Sequence, residues 1–503
     1  MIARDVLACA LLLVLAAAGH ARADAVELRP VACWITGNVF QNADCYRAIL
    51  PLDRANPAAG TVDLPVAVLR ASTDDPAPDP VIYLEGGPGA PTFDGGYPAF
   101  EDYSGLWWDH STPFRRSRDF ILFDQRGMGL ALPSLDCPEL HAIDTALQHW
   151  PGFDDPLFDE ELVALASCHA RLVGQGVDLA AFDTRASADD VADIVRALGY
   201  EQANLYGVSY GTRLGLEIMR RHPGLVRSAV LDGVYPPDVD AELDFPEAIA
   251  GAFANLFADC AADLGCRSIA PGGLAGLEAM VGELNAAPRE LELYDHESFG
   301  RGAMVRFDGT FVLSTMVDML YDAYWLTYIP LAVGTAERGE RDALSYFYWT
   351  TTFASQGLSE GGFINVECRE AATLDMAVIE RAAAAHGVYG KAAIDWSLAP
   401  YCAVWPVAND PIGAAGPVVS DVPTLLMSGR YDPVTPASFA ERAAQTLPHS
   451  AHLVFRSGGH AVTFWFTCAR DAAAAFFENP DPSAVADPRC RDFSRPAAFA
   501  RRF

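Results

Sequence analysis

The stretch "LYGVSYGTRLG" sets Ser209 between Gly207 and Gly211. A serine hydroxyl is a weak nucleophile unless a base takes its proton. The surroundings single this serine out. "ANLY" before it is a short apolar run of strand character. "RLGLEIMRRH" after it carries apolar residues along one helical face and ends in Arg220, Arg221 and His222 before Pro223. Ser209 therefore falls on a strand-to-helix turn. The flanking glycines permit a sharp, strained backbone there, and the helix N-terminus favours developing negative charge. Such a turn predicts partners in the order acid, then histidine. "LLMSGRYDPVTP" puts Asp432 just past a strand-like run, and "LVFRSGGHAVTF" puts His460 just past the next. His460 is the expected base, and Asp432 the residue that orients its ring and stabilises its charged form. Two backbone donors complete the set. One is the N–H of Tyr210, directly after the serine. The other is that of Gly87 in "EGGPG", which follows "VIYL". These parts suit acyl transfer from an ester or amide, with no metal or organic cofactor.

The elements that must hold these residues recur along the chain. "VIYLEGGPG", "DFILFDQRG", "ANLYGVS", "SAVLDGV", "PTLLMSGRYD" and "HLVFRSGGH" are short apolar runs ending in turn-like clusters. Helical periodicity lies between several of them. "SADDVADIVRALGY" sets Val191, Ile194, Val195 and Leu198 on one face, with Ser187 as the expected N-cap. Strands alternating with helices predict an α/β fold with a mostly parallel sheet covered on both faces. In open parallel sheets, sites gather at the strand C-terminal ends. The rhythm stops between about 239 and 417, a mainly helical stretch expected to be an inserted cap. The core is then 24–238 and 418–503. Asp124 and Arg126, at the end of "FILF", form a candidate pair supporting the "GGPG" loop. Asp232, at the end of "SAVLD", is a second acid near the site, less suited than Asp432 because it precedes the cap.

Hydrophobic residues make up 51% and charged residues 20% of the 503 positions, enough apolar surface for a large core. The net charge of −31 argues against a nucleic-acid partner, since like charges repel phosphate. Residues 1–23 read as a secretory leader, with Arg4, an apolar run, and Ala21-Arg22-Ala23 as the cleavage site. That run is too short for a comfortable membrane span, and no later segment is long and apolar enough. Of the eleven cysteines, Cys9 lies in the leader, which leaves an even ten in an exported, oxidising setting. Ten cysteines allow about 945 pairings. Closing short loops costs least, which favours Cys33–Cys45, Cys137–Cys168, Cys260–Cys266, Cys368–Cys402 and Cys468–Cys490.

In order, "GGPG", "FDQRGMG", "GVSYG", "GRYDPVTP" and "GGH" resemble the prolyl aminopeptidases. "LPSLDCPEL", "MLYDAYWLTYIPLA", "INVECRE" and the late cysteine bring the chain closer to their larger secreted relatives, the tripeptidyl-aminopeptidase-like α/β-hydrolases. The resemblance covers nearly all the mature chain. It implies an α/β-hydrolase fold with a helical cap, and an exported serine aminopeptidase acting on free peptide N-termini. In that family, acids under the cap bind the substrate's amine, and Glu367 and Glu370 of "INVECRE" are the candidates here. Smaller family members carry His where this chain has Glu85. An esterase of small esters or amides is the alternative within the fold, and an idle binding protein the alternative outside it.

Overall fold

The computed structural model describes residues 26–33, 42–93, 103–140, 143, 156–295, 300–338 and 358–502. The leader expected over residues 1–23 lies outside them. The strands are β1 (Glu27–Val31), β2 (Ala43–Pro51), β3 (Thr61–Leu69), β4 (Val81–Leu84), β5 (Phe120–Phe123), β6 (Ala203–Val208), β7 (Val226–Asp232), β8 (Arg289–Asp295), β9 (Gly300–Phe307), β10 (Thr424–Gly429) and β11 (Ser450–Phe455). All but β8 and β9 join one sheet in the order β1-β2-β3-β5-β4-β6-β7-β10-β11. The β1, β2, β3 and β5 pairings are antiparallel. From β5 through β4, β6, β7 and β10 to β11 every pairing is parallel.

Alternation along the strands separates two apolar layers. Ile82, Leu84, Ile121, Phe123 and Leu205 face one cluster, with Val191, Ile194 and Val195 of the helix Thr184–Ala197 and Leu214 and Ile218 of the helix Tyr210–Arg221. Val81, Tyr83, Phe120, Leu122 and Tyr206 face the other, with Trp107 and with Ala469, Ala473 and Phe476 of the helix Thr467–Glu478. Both faces are dry, which is why the central strands read as continuous apolar runs. The helix Thr184–Ala197 is capped by Asp183, whose carboxylate accepts the Ala186 N–H at 2.8 Å. The expected cap, Ser187, lies buried inside that helix instead, because Asp183 reaches the free first-turn amide one turn earlier.

Among its described residues, the stretch between β7 and β10 contains helices and the antiparallel hairpin β8–β9. Its packing is double. Phe253, Leu256, Leu313, Met316 and Ile329 build a cluster of their own with Tyr431 and Phe499. Ile364, Cys368 and Trp405 belong to the sheet's own cluster. Cys368 bonds Cys402, which ties the helix Glu360–Glu370 to the helix Ala399–Val404. The other bridges are Cys33–Cys45, Cys137–Cys168, Cys260–Cys266 and Cys468–Cys490. Among the described residues no single helix is long and apolar enough to cross a membrane.

One expected pair is absent. Arg126 turns away from Asp124 and donates to both oxygens of buried Asp190, at 2.8 and 2.7 Å. Asp124 instead accepts the N–H groups of Thr92, at 2.6 Å, and Leu130, at 2.7 Å, and so braces the loop after "GGPG" without Arg126. A carboxylate ringed by main-chain donors is already solvated and does not need the arginine.

Candidate active site

Ser209 directly follows β6 and caps the helix Tyr210–Arg221, with φ 56° and ψ −126°. Positive φ at a residue with a β-carbon costs on the order of 1–3 kcal/mol and persists only where neighbours enforce it. They do so here. The Ser209 N–H donates to the Asp232 carbonyl at 2.9 Å. At Gly211 a β-carbon would stand 1.9 Å from the Leu84 carbonyl oxygen, so only glycine lets the helix pack this close to β4. The loop after β4 closes over the serine: a β-carbon on Gly86 would lie 3.1 Å from Ser209 Cβ. Gly87, next along, has φ 103°, a conformation glycine adopts without penalty. Tyr210 opens its helix, so its N–H has no acceptor within that helix.

The histidine and its acid meet across the ends of β10 and β11. His460 Nδ1 lies 2.9 Å from Asp432 Oδ2. Asp432 also accepts the N–H of Val434 at 3.0 Å, the N–H of Thr435 at 2.8 Å and the Thr435 hydroxyl at 2.7 Å. Burial alone would raise the Asp432 pKa. His460 and the Thr435 donors outweigh it, and the carboxyl sits below its ordinary value. Burial likewise works to lower His460, and Asp432 overrides it to leave the imidazole above its ordinary range. Both shifts favour a charged ion pair once the ring has taken a proton. The ring sits against Gly233, where a β-carbon would be 3.2 Å from His460 Cε1. The turn Asp232–Gly233 thus touches Ser209 on one hand and His460 on the other.

Aromatic side chains supply walls. The Tyr321 ring, at the end of the helix Gly309–Tyr321, is centred 4.8 Å from the His460 ring. The Trp465 indole donates to the His460 carbonyl at 2.9 Å. Both aromatics remain partly exposed. The helix Glu360–Glu370 is fastened at two places, to the loop after β4 and to the start of the helix Tyr210–Arg221. Just before it, the Ser359 N–H donates to the Gly89 carbonyl at 2.9 Å. Within it, Val366 packs against Met128 and Tyr210.

Glu367 and Glu370 are both buried and differ in company. Glu370 accepts the Thr184 N–H at 2.6 Å and the Thr184 hydroxyl at 2.8 Å, and that hydroxyl meets Tyr210 Oη at 2.7 Å. Burial pushes its pKa up to about 7, with Arg213 and Thr184 holding it back. Among the described residues Glu367 makes no hydrogen bond or ion pair. Burial raises its pKa, Arg213 opposes that, and Glu242 adds to it. Arg213 is itself buried, with its guanidinium 3.5 Å over the Tyr235 ring.

Asp232, expected as a second acid near the site, stands in it, and Thr435, Arg213 and Tyr321 stand in it without having been read as members. Thr435 had a local signal, a hydroxyl three residues after an acid in a turn. Arg213 had a weaker one, a charge in the first turn of an otherwise apolar helical face. Tyr321 reaches His460 across 139 residues, and nothing local marks it.

The α/β-hydrolase fold family matches residues 79–270, and the TAP-like protein family matches residues 388–490. The chain is 26% identical to "Serine protease Hip1" of Mycobacterium tuberculosis over 468 residues, which is 84% of this chain and 82% of that protein. It is 28% identical to "Tripeptidyl aminopeptidase" of Streptomyces lividans over 211 residues, 41% of this chain and 38% of that protein. A solved proline iminopeptidase of Mycobacterium smegmatis aligns with a TM-score of 0.41 at 15% identity, covering 87% of this chain and 99% of that one. The two family matches fall on the two parts of the chain that build the parallel sheet from β4 to β11, and the chain has the α/β-hydrolase fold, with a C-terminal part that matches the TAP-like family.

Proposed function

We propose that this chain is an exported serine aminopeptidase that removes residues or short peptides from free peptide N-termini through an acyl-enzyme on Ser209. Ser209 Oγ attacks the scissile carbonyl carbon while His460 takes its proton. The oxygen that becomes negative is held by the N–H groups of Tyr210 and Gly87. His460 then gives the proton to the leaving amine, the C–N bond breaks, and the acyl group stays on Ser209. Water, deprotonated by His460, releases it. Asp432 keeps Nδ1 protonated and compensates the ring's charge at each step. The region 239–417 serves as the cap that roofs this site.

The observation that carries the peptidase reading is Glu367. Its side chain is largely buried, has no hydrogen-bond partner among the described residues, and keeps its oxygens accessible, so a ligand can complete it. It lies on the helix that packs over Tyr210, next to the nucleophile. An ammonium is the complementary partner, and a free peptide N-terminus provides one. Glu370 is already satisfied by Thr184 and holds the helix in place. The names of the similar proteins, a serine protease and a tripeptidyl aminopeptidase, agree with this reading. The leader over residues 1–23 and the five bridges support export. The test compares peptide p-nitroanilides and p-nitrophenyl esters, each with a free and an acetylated N-terminus. Free-amine anilides should be cleaved far faster than acetylated ones. Equal rates, with the small esters the better substrates, would put an esterase in place of the aminopeptidase.

A further inference from the structure

Asp232 has no part in the steps above, yet it is fully buried and touches both reacting loops. Its carbonyl accepts the Ser209 N–H at 2.9 Å. Its carboxylate accepts the Val462 N–H at 3.1 Å, the Thr463 N–H at 2.7 Å and the Thr463 hydroxyl at 2.6 Å. Val462 and Thr463 open the short turn that follows His460. Between them and the histidine stands Ala461, with φ 59° and ψ 64°, a left-handed conformation that an alanine keeps only under restraint. Thr463 continues the connection. Its Oγ1 accepts the Tyr206 O–H at 2.6 Å, and Tyr206 lies on β6, three residues before Ser209. Tyr206 Oη is also 2.8 Å from His110 Nε2, so the network is anchored in the aromatic layer behind the sheet.

Asp232 is not a second acid for the ring, because His460 Nδ1 already faces Asp432 at 2.9 Å and Thr435 Oγ1 at 3.0 Å. We propose that Asp232 is a positioning residue: through its carbonyl and its carboxylate it fixes where His460 stands relative to Ser209, with Thr463 as the link to β6. This rests on the reading of Ser209 as nucleophile and His460 as its base. Misplacing reacting groups by about 1 Å can cost on the order of a hundredfold in rate. A purely structural acid would instead lower stability and leave the folded protein's reactivity alone.

The test uses the full chain and a fluorophosphonate probe, whose reaction with Ser209 needs the histidine but no particular substrate. The limiting labelling rate and the probe's half-saturating concentration are measured for the parent, Asp232→Asn, Thr463→Val and Thr463→Ser, with the folded fraction of each taken from circular dichroism. Asp232→Asn should lower the limiting rate by about tenfold to a hundredfold with half-saturation unchanged. Thr463→Val should lower it severalfold, and Thr463→Ser, which restores the hydroxyl, should return it to the parent's. If Asp232→Asn does not fold, the Thr463 pair decides. Parental rates in the folded variants, or a serine variant as slow as the valine one, overturn the positioning role. A parent that does not label overturns the reading of Ser209 and this inference with it.

Discussion

The turn after β10 and the helix Glu360–Glu370 each bury a carboxylate near Ser209, and they solvate it in opposite ways. Asp432 accepts hydrogen bonds from Val434, Thr435 twice and His460, and its pKa lies below the ordinary value. Among the described residues Glu367 accepts none, and its pKa lies above it. The first site is complete within the fold, and its charge is available whenever the imidazole needs it. The second has no hydrogen bond from the described residues, only the more distant charge of Arg213 opposing its burial. On the function proposed above, the same residue chemistry serves a fixed internal task in one place and an external partner in the other.

The largest effects should come from the finished site. Ser209→Ala should lower turnover by about a millionfold and Asp432→Asn by about 10⁴, in proteins that still fold. Purified variants assayed against the same anilide check this, and near-parental turnover in either breaks the assignment. Next comes the unfinished site. Leaving a buried charge unpaired costs about 3–5 kcal/mol, so acetylating the substrate's amine should lower kcat/KM by roughly a hundredfold or more. Glu367→Gln should shrink that ratio by slowing the free-amine substrate alone. A ratio unchanged by Glu367→Gln would move the amine site elsewhere within 239–417.

A smaller effect concerns pH. The base must be neutral to act, and the His460 pKa is raised above 6.5. Labelling of Ser209 should therefore rise with pH through a midpoint above 6.5. Asp432→Asn removes the stabilising charge and should shift that midpoint down. The smallest effect separates Glu370 from Glu367. Glu370 holds its proton more tightly folded, at about 7, than at the ordinary 4.5. Its contribution is present below 4.5 and is lost as pH rises towards 7, so the parent should lose stability over that window relative to Glu370→Gln. Denaturant titrations at several pH values measure the difference. Parallel curves would mean the group titrates normally.

What is legible in the sequence follows from distance along the chain. The positions of Ser209, Asp432 and His460 at strand ends are readable because each rests on a short apolar run and the turn directly after it. The cysteine pairs are readable for a similar reason, since every loop they close spans 34 residues or fewer. Long-range choices are not. Arg126 has an acid two positions away and takes Asp190 instead, because Asp124 is occupied by amides of the neighbouring loops. Ser187 and Asp183 are both plausible caps, and the one that reaches Ala186 N–H wins. The hairpin β8–β9 is hidden by its helical neighbours, although "RELELY" alternates with period two.

The account's central claim is an acyl group on Ser209 during turnover of a free-amine peptide. Acid-quenching the parent while it hydrolyses such a p-nitroanilide, then digesting it and weighing its peptides, tests this directly. The account predicts the mass of the substrate's acyl portion on the peptide containing Ser209, absent in Ser209→Ala and with an acetylated substrate much diminished. Turnover with that peptide unmodified, or with the acyl group on another residue, would contradict it.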